Sequence, residues 1–203
     1  MTGQRHRYPA ELIDVVELAG QRVLIRPVLP QDEGLTEAFF GNLSPRARQQ
    51  RFLSPMRLLP PGLSKRLTDV DYSEHLALVA EVFAEAGETV IAEARYARLS
   101  DADSAEFAIS IGEPWQGLGL ARLLLQKLIN RAASAGITRI VGETLASNAR
   151  MLLLARRAGF SLRRSAEVAG LMVMEKVLEP RRADRAPRQP AAAPAGPPLA
   201  ARA

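Results

Sequence analysis

The sequence contains no cysteine and only two histidines, His6 and His75. The absence of cysteine excludes disulfides, iron–sulfur clusters, thiolate zinc sites and covalent cysteine catalysis. Two histidines are too few for most metal sites or for a conventional serine–histidine–aspartate hydrolase. We therefore expect no bound metal.

Long apolar runs are also missing. No stretch approaches the roughly 18 to 20 consecutive apolar residues that span a bilayer, and the first seven residues carry Arg5, His6 and Arg7 with no apolar segment behind them. We expect a cytoplasmic protein without a membrane partner. The 203 residues, 47% hydrophobic and 24% charged, are enough for one domain with a sizeable core.

The net charge of +5 is concentrated at one end of the chain. Residues 180–203 hold five arginines and one acid, whereas residues 1–179 hold 22 basic and 21 acidic residues. No nucleic-acid partner is expected for a nearly neutral folded part. Residues 180–203 also contain six prolines and nine alanines, which predicts a disordered tail. The predicted division is an N-terminal extension with a hairpin strand (1–21), the main domain (22–179) and the tail (180–203).

Apolar periodicity predicts an alternation of strands and helices. A hairpin (15–18 and 22–26) is followed by short helices between residues 30 and 71, the first capped by Asp32 and the second by Ser44. The remaining predicted elements are strands 75–83, 88–99 and 105–111, helix 116–135, strand 138–145, helix 147–158 capped by Ser147, and strands 160–168 and 170–178.

The order strand, long helix, strand over residues 105–145 requires a parallel pair with a right-handed crossover. The hairpins on either side of this unit are antiparallel. The predicted fold is therefore α/β: a mixed, mostly antiparallel sheet with one parallel strand pair, flanked by helices.

The segment from Trp115 to Ala121 reads Trp-Gln-Gly-Leu-Gly-Leu-Ala and opens the long helix. Glycines there let the backbone approach a ligand, and the free N–H groups of the first helical turn favour an anion such as a pyrophosphate. The segment is not a P-loop, because no Gly-Lys-Ser/Thr follows, and Arg122 occupies the position of the third Rossmann glycine. The alternative is a helix start whose glycines act only as caps.

Two motifs resemble those of the GCN5-related N-acetyltransferases. Residues 116–121 match the Gln/Arg-x-x-Gly-x-Gly/Ala acetyl-CoA motif of that family, and residues 148–160 are similar to its second motif. The resemblance covers about residues 22–178 and implies acetyl-CoA as cosubstrate. The resemblance implies that backbone groups make most of the contacts with the cofactor. The implied cofactor-binding residues are Ile109, Ser110, Ile111, Gln116, Gly117, Leu118, Gly119, Leu120, Ala121 and Asn148. The alternative role of Asn148 is to cap the following helix.

An ordered set of shorter pieces resembles the acetyltransferase domain of bacterial protein-lysine acetyltransferases that act on acetyl-CoA synthetase. The pieces are Tyr8-Pro9, residues 23–27 with Asp32, Arg51-Phe52, and residues 69–72 followed by 77–80. This resemblance implies a protein lysine as acceptor, in a partner such as an acetyl-CoA synthetase-like enzyme. Two other functions stay open: acetylation of a small amine or antibiotic, with Asp69, Asp71 and Glu74 as an acidic pocket, and a non-catalytic acyl-CoA-sensing module.

The attacking amine must lose a proton, so a general base is needed near the acetyl group. The protein acetyltransferases that the chain resembles place a glutamate in the Ala-Glu-Phe-Ala context of Glu106, which is our candidate base. Glu113 and Glu143 are the other candidates for the base. The alternative for Glu106 is a strand residue that faces solvent and has no catalytic role. Many family members carry a tyrosine that protonates the departing thiolate where this chain has Ala155. Tyr72, Tyr96 or water are the candidate replacements.

Overall fold

The computed structural model describes residues 7–55, 59–60, 62–85 and 87–179. The predicted tail, residues 180–203, lies outside the described residues. Strands and helices follow one another as β1 (Asp14–Leu18), β2 (Gln21–Pro27), α1 (Glu33–Asn42), α2 (Pro45–Phe52), α3 (Leu63–Thr68), β3 (His75–Ala84), β4 (Gly87–Arg98), β5 (Ser104–Ile111), α4 (Leu120–Ser134), β6 (Arg139–Leu145), α5 (Ala149–Arg157), β7 (Ser161–Arg164) and β8 (Leu171–Val177).

The eight strands form one sheet in the order β1-β2-β3-β4-β5-β6-β8-β7. Only β5 and β6 pair in parallel, and the other neighbours are antiparallel. The predicted mixed sheet is confirmed. At its first edge, Ala19 and Gly20 have φ values of 49° and 77°, the positive angles that suit a two-residue hairpin turn. Leu18 and Gln21 pair across this turn, so β1 belongs to the same sheet as the main domain.

Alternate side chains of the central strands supply two cores. In β3, Leu78 packs into the main core with Leu124 and Leu128 of α4, whereas its neighbour Val79 packs on the opposite face with Phe40 of α1. Because successive strand residues point to opposite faces, each strand serves both helical layers. The sheet therefore lies between α4 and α5 on one face and α1 and α3 on the other.

Helix α4 begins later than the sequence predicted. The periodicity predicts a start at residue 116, but Gly119 precedes the helix with φ of 90° and α4 starts at Leu120. A residue in this left-handed conformation cannot belong to a right-handed helix. The four residues before Leu120 are thus a loop, and the predicted ligand segment is mostly non-helical.

Two predicted caps and the end of one predicted strand were wrong. Asn148, not Ser147, caps α5. Asp32 makes no side-chain cap to α1, because its carboxylate binds Arg26 at 2.6 Å and the N–H of Leu29 at 2.7 Å. Strand β7 ends at Arg164 instead of residue 168, since a turn follows in which Ser165 Oγ accepts two backbone N–H groups. The Ser44 cap of α2 is confirmed by its bond from the N–H of Ala47 at 3.2 Å.

Candidate active site

The parallel strands β5 and β6 stay together for only three residue pairs, from Ser104 with Arg139 to Glu106 with Val141. Beyond these pairs β5 continues beside β4 and β6 beside β8, so the two strands separate. A cleft of about 670 Å³ occupies the resulting gap and is lined by α2 from one face of the sheet and by α4 from the other. Two molecules that enter from opposite faces can therefore meet within the sheet.

The loop before α4 forms one side of the cleft. Gly117 and Gly119 have φ values of 84° and 90°, and neither is crowded at the place of a Cβ atom. Backbone conformation, and not close packing, is therefore the reason for glycine. The first helical hydrogen bond runs from the N–H of Leu123 to the C=O of Gly119 at 3.1 Å. The N–H groups of residues 120–122 thus have no acceptor within the helix and suit an anion.

The Gln116 side chain is engaged within the protein. Its Nε2 donates to the C=O of Ile111 at 2.9 Å, and its Oε1 accepts from Arg150 of α5. These bonds connect the loop with the end of β5 and with α5. The Gln116 side chain therefore shapes the loop, which leaves the backbone N–H groups to meet a ligand.

Most residues that the sequence assigned to cofactor binding come together in this cleft. Leu118 and Leu120 are the exceptions: the first is 39% exposed and the second is buried in the main core. Neither lines the cleft. Those that do are Ile109, Ser110, Ile111, Gln116, Gly117, Gly119, Ala121 and Asn148.

Asn148 has the capping role that the sequence left open. Its Oδ1 accepts from the N–H of Met151 at 3.2 Å, and its Nδ2 donates to Thr144 Oγ1 at 3.0 Å. These two bonds fix the start of α5 against the end of β6. Ala155, on the same helix, is fully buried in the main core and brings no polar group to the cleft.

The arginines of the cleft are not among the residues that the sequence assigned to cofactor binding. Arg122 of α4 and Arg150 and Arg157 of α5 line it, together with Arg51 of α2, whereas Glu143 is the one acid among the described lining residues. The spacing of Arg150 and Arg157 was an available signal, because residues seven apart lie on one helix face. The excess of positive charge suits a phosphorylated ligand.

The three candidate glutamates have different surroundings. Glu106 is exposed and lies on the last residue pair before β5 and β6 separate. It is not among the lining residues of the cleft, but its negative charge acts on the nearby guanidinium of Arg51. Glu143 is exposed and lines the cleft directly. Both carboxylates are therefore available near the gap.

Glu113 is engaged in a structural contact. Its Oε1 accepts from the N–H of Ser44 at 3.1 Å, which joins the loop after β5 to the start of α2. Burial acts to raise the pKa of Glu113, but the hydrogen bonds from Ser44 outweigh it and the pKa is lowered. A carboxylate held in this way is a weaker candidate for accepting a proton.

A buried charge cluster underlies the α2 side of the cleft. Glu93 of β4 binds Arg95, which also donates to the C=O of Leu67 at 2.8 Å and lies 3.1 Å from His75 Nε2. Arg51 of α2 reaches the same carboxylate at 3.5 Å. Burial, and then the charge of Arg95, lower the pKa of His75. Two guanidinium groups thus share one carboxylate beside a neutral imidazole.

Within the residues that the structure describes, no helix is long and apolar enough to cross a bilayer. The same residues contain no group of three or more histidine, aspartate or glutamate side chains placed to hold a metal ion.

A mixed sheet that opens between its parallel strands, with an anion-binding loop on one face and carboxylates near the gap, is the arrangement of an acyl-CoA-dependent N-acyltransferase. The model of the Acetyltransferase (GNAT) family matches residues 48–160. The chain belongs to this family, and it is an N-acetyltransferase that uses acetyl-CoA and acts on an amine-bearing substrate.

Named relatives and solved structures agree with this assignment. The chain is 33% identical to Acetyltransferase PA5475 of Pseudomonas aeruginosa over 70% of this chain and 76% of that protein. It is 32% identical to Acetyltransferase Pat of Mycolicibacterium smegmatis over 72% of this chain, which spans only 44% of Pat. The crystal structure of the GNAT domain of S. lividans PAT superposes with a TM-score of 0.76 and 29% identity, covering 85% of this chain and all of that domain. These similarities confirm the predicted likeness to bacterial protein acetyltransferases.

The yncA acetyltransferase of Salmonella typhimurium, solved with acetyl-CoA, shares the fold at 19% identity and a TM-score of 0.62, covering 81% of this chain and 98% of that protein.

Proposed function

We propose that this acetyltransferase acts in the cytoplasm on a lysine of another protein, such as an acetyl-CoA synthetase-like enzyme, by direct transfer with Glu106 as general base. The observation that carries the proposal is the gap between β5 and β6, which opens toward α4 on one face and α2 on the other. The likeness to the S. lividans PAT domain supports a protein acceptor.

The α4 side of the cleft suits the cofactor. The N–H groups at the start of α4 would bind the pyrophosphate, and Arg122, Arg150 and Arg157 would neutralise the remaining phosphate charge. Beyond residue 106 the edge of β5 no longer pairs with β6. Residues 109–111 can therefore hydrogen-bond the pantetheine amides as a neighbouring strand would.

In the transfer step, Glu106 takes a proton from the acceptor ammonium, directly or through a water. The neutral amine forms a bond to the carbonyl carbon of the thioester, and the carbon–sulfur bond breaks. The electron pair of that bond stays on sulfur as a thiolate, whose thiol form has a pKa of ~8.5. The nitrogen is positively charged after the attack, and its second proton passes to this thiolate directly or through a water. Ala155 takes no part, because it is buried and has no hydroxyl.

The small-amine alternative lacks the acidic pocket that the sequence offered for it. Asp69, Asp71 and Glu74 do not line the cleft. Asp71 Oδ1 accepts from three backbone N–H groups, of residues 73–75, and Glu74 pairs with Arg98 at 2.7 Å. The protein-lysine proposal needs no such pocket.

Labelled acetyl-CoA incubated with the purified protein and a cell lysate tests the acceptor class by mass spectrometry. We expect label on lysines of a few proteins. The variant Gly119→Asp, designed to prevent cofactor binding, is the control for non-enzymatic acetylation, and this label should be absent from its sample. Label on small amines alone would assign the small-amine function. Acetyl-CoA binding with label on neither class would indicate a sensing module.

A further inference from the structure

Two buried polar groups line the cleft without a hydrogen-bond partner among the described residues. They are the Ser110 hydroxyl of β5, in a residue that is 7% exposed, and the Nε–H of Arg51 of α2. Buried groups of this kind lose their bonds to water and gain none in return. Each group therefore lacks a hydrogen bond that a ligand bound in the cleft would supply.

Arg51 is held in place by contacts that leave its Nε–H free. Its guanidinium lies 5.6 Å and 5.0 Å from the ring centres of Phe40 and Phe52. Its Nη2 lies 3.5 Å from Glu93 Oε2, while Glu93 Oε1 is bound by Arg95. Because the two arginines share one carboxylate, a positive charge beside the cleft is not fully neutralised within the cluster.

The strand register pairs Ser110 with the residue that binds Arg51. Ser110 of β5 is paired with Glu93 of β4, the residue that binds Arg51. By strand alternation Ser110 also shares a sheet face with Ala108 and Glu106. Ala108 lines the cleft and has a small side chain, so no large side chain stands between Ser110 and Glu106 on this face.

We propose that the Ser110 hydroxyl and the Arg51 Nε–H donate hydrogen bonds to the carbonyl oxygen of the thioester, and that they stabilise the negative charge this oxygen gains when the amine attacks. This inference rests on the proposed placement of the acyl group between β5 and β6. The positive charge of Arg51 attracts an oxygen that becomes negative. Fixed donors in a water-poor site stabilise such charge more strongly than water does.

Ser110→Ala is the sharper of two variants. Loss of one donor to a developing oxyanion lowers kcat by about 10²- to 10³-fold, and we expect acetyl-CoA affinity to stay within a few-fold. The melting temperature should not fall, because the variant removes a buried hydroxyl that has no partner in the described structure. A purely structural Ser110 would not combine unchanged stability with slow turnover.

Arg51→Met tests the second donor, and Arg48→Met is its control. Methionine keeps an apolar chain between Phe40 and Phe52, and Glu93 retains Arg95. Arg48 also lies on α2 and also has a buried Nε without a described partner, but it does not line the cleft. We expect about 10²-fold or greater loss of kcat for Arg51→Met and near wild-type kcat for Arg48→Met. Equal losses in the two variants would overturn the role of Arg51.

Infrared spectroscopy of bound acetyl-CoA, labelled with ¹³C at the carbonyl, tests the contact without any acceptor. Hydrogen bonds to the thioester oxygen should lower its stretching frequency in the wild-type complex. We expect Ser110→Ala and Arg51→Met to move the band back toward that of free acetyl-CoA, and Arg48→Met to leave it unchanged. The same band in all four proteins would disprove the inference, whereas failure to find a protein acceptor would count only against the proposed substrate.

Discussion

Glu106 and Glu143 differ in their position relative to the gap. Glu106 lies where the two strands still pair, and Glu143 lies farther along β6, where they have separated. In the proposed mechanism the amine meets the thioester at the narrow end of the gap, and the base must reach it there. This geometry favours Glu106, although Glu143 has the more direct contact with the cleft.

Replacing Glu106 by glutamine should lower kcat by roughly 10²- to 10⁴-fold, because the amide keeps the shape but cannot take the proton of the amine. Acetyl-CoA affinity should change only a few-fold. Wild-type activity should rise with pH, and a higher pH should partly rescue the variant by supplying free amine. Steady-state kinetics of Glu106→Gln, Glu143→Gln and Glu113→Gln measure these effects. If Glu106→Gln keeps near-normal turnover while one of the other two variants loses it, the general base is that other glutamate.

His75 predicts a pH dependence of stability. Burial and the charge of Arg95 lower its pKa in the folded protein from the ordinary value of 6.5. The unfolded chain therefore binds the proton more readily, and the stabilising effect of neutral His75 is present above pH 6.5 and lost as pH falls. Unfolding by urea between pH 5 and pH 8 should show this loss for the wild type. His75→Gln should show a weaker loss, and identical pH profiles would contradict the prediction.

At the scale of elements, the loop before α4 has to combine a special backbone with an open electrostatic surface. Gly119 has a φ of 90° with space around it, so a side chain there meets conformational strain but no clash. Charge and strain can therefore be separated by two substitutions of equal size.

Gly119→Asp should abolish acetyl-CoA binding, because its carboxylate would face the pyrophosphate at the start of α4. Gly119→Asn has the same shape without the charge, and asparagine tolerates this φ. We expect calorimetry to give micromolar affinity for the wild type, a moderate loss for Asn and no measurable binding for Asp. Equal binding by the Asp variant and the wild type would show that the pyrophosphate lies elsewhere.

The contact between β5 and β6 predicts a second pair of variants. A Cβ atom on Gly142 would lie 2.6 Å from the buried ring of Phe107, so Gly142→Ala should lower the free energy of unfolding by about 1–3 kcal/mol. Gly34 of α1 has no such neighbour, and Gly34→Ala should raise stability by about 0.5–1 kcal/mol. Denaturant unfolding measures both changes. A stable Gly142→Ala variant would mean that Phe107 can move aside.

At the scale of the whole molecule, the gap in the sheet makes stability depend on the ligand. In the proposed binding mode, acetyl-CoA pairs with the open edge of β5, and it binds only the folded state. Saturation at 100 times the dissociation constant stabilises a protein by about 2.7 kcal/mol. For a domain of this size this corresponds to a rise of about 5–10 °C in melting temperature.

Thermal unfolding with and without acetyl-CoA measures this rise, with Gly119→Asp as the control that should show none. Hydrogen exchange should become slower in β5, β6 and the loop before α4. An unchanged melting temperature at saturating acetyl-CoA would contradict binding to the folded cleft.

The sequence by itself determined the element order, the single parallel pair and the glycine-containing loop before α4. These features follow from local periodicity and from the rule that strand, helix and strand in one sheet need a crossover. Its errors lay at element ends, such as residue 116 and Ser147, where one backbone angle or one cap decides.

Only the tertiary structure decided which side chains meet at the gap. Arg51 and Glu93 are 42 residues apart in the chain, and Ser44 and Glu113 are 69 apart. Local patterns carry no information on such pairs, because the exact register of strands and the placement of α2 bring them together. For the same reason the sequence could assign Ser110 to β5 but could not show that its hydroxyl is buried without a described partner and that its cross-strand neighbour Glu93 binds Arg51.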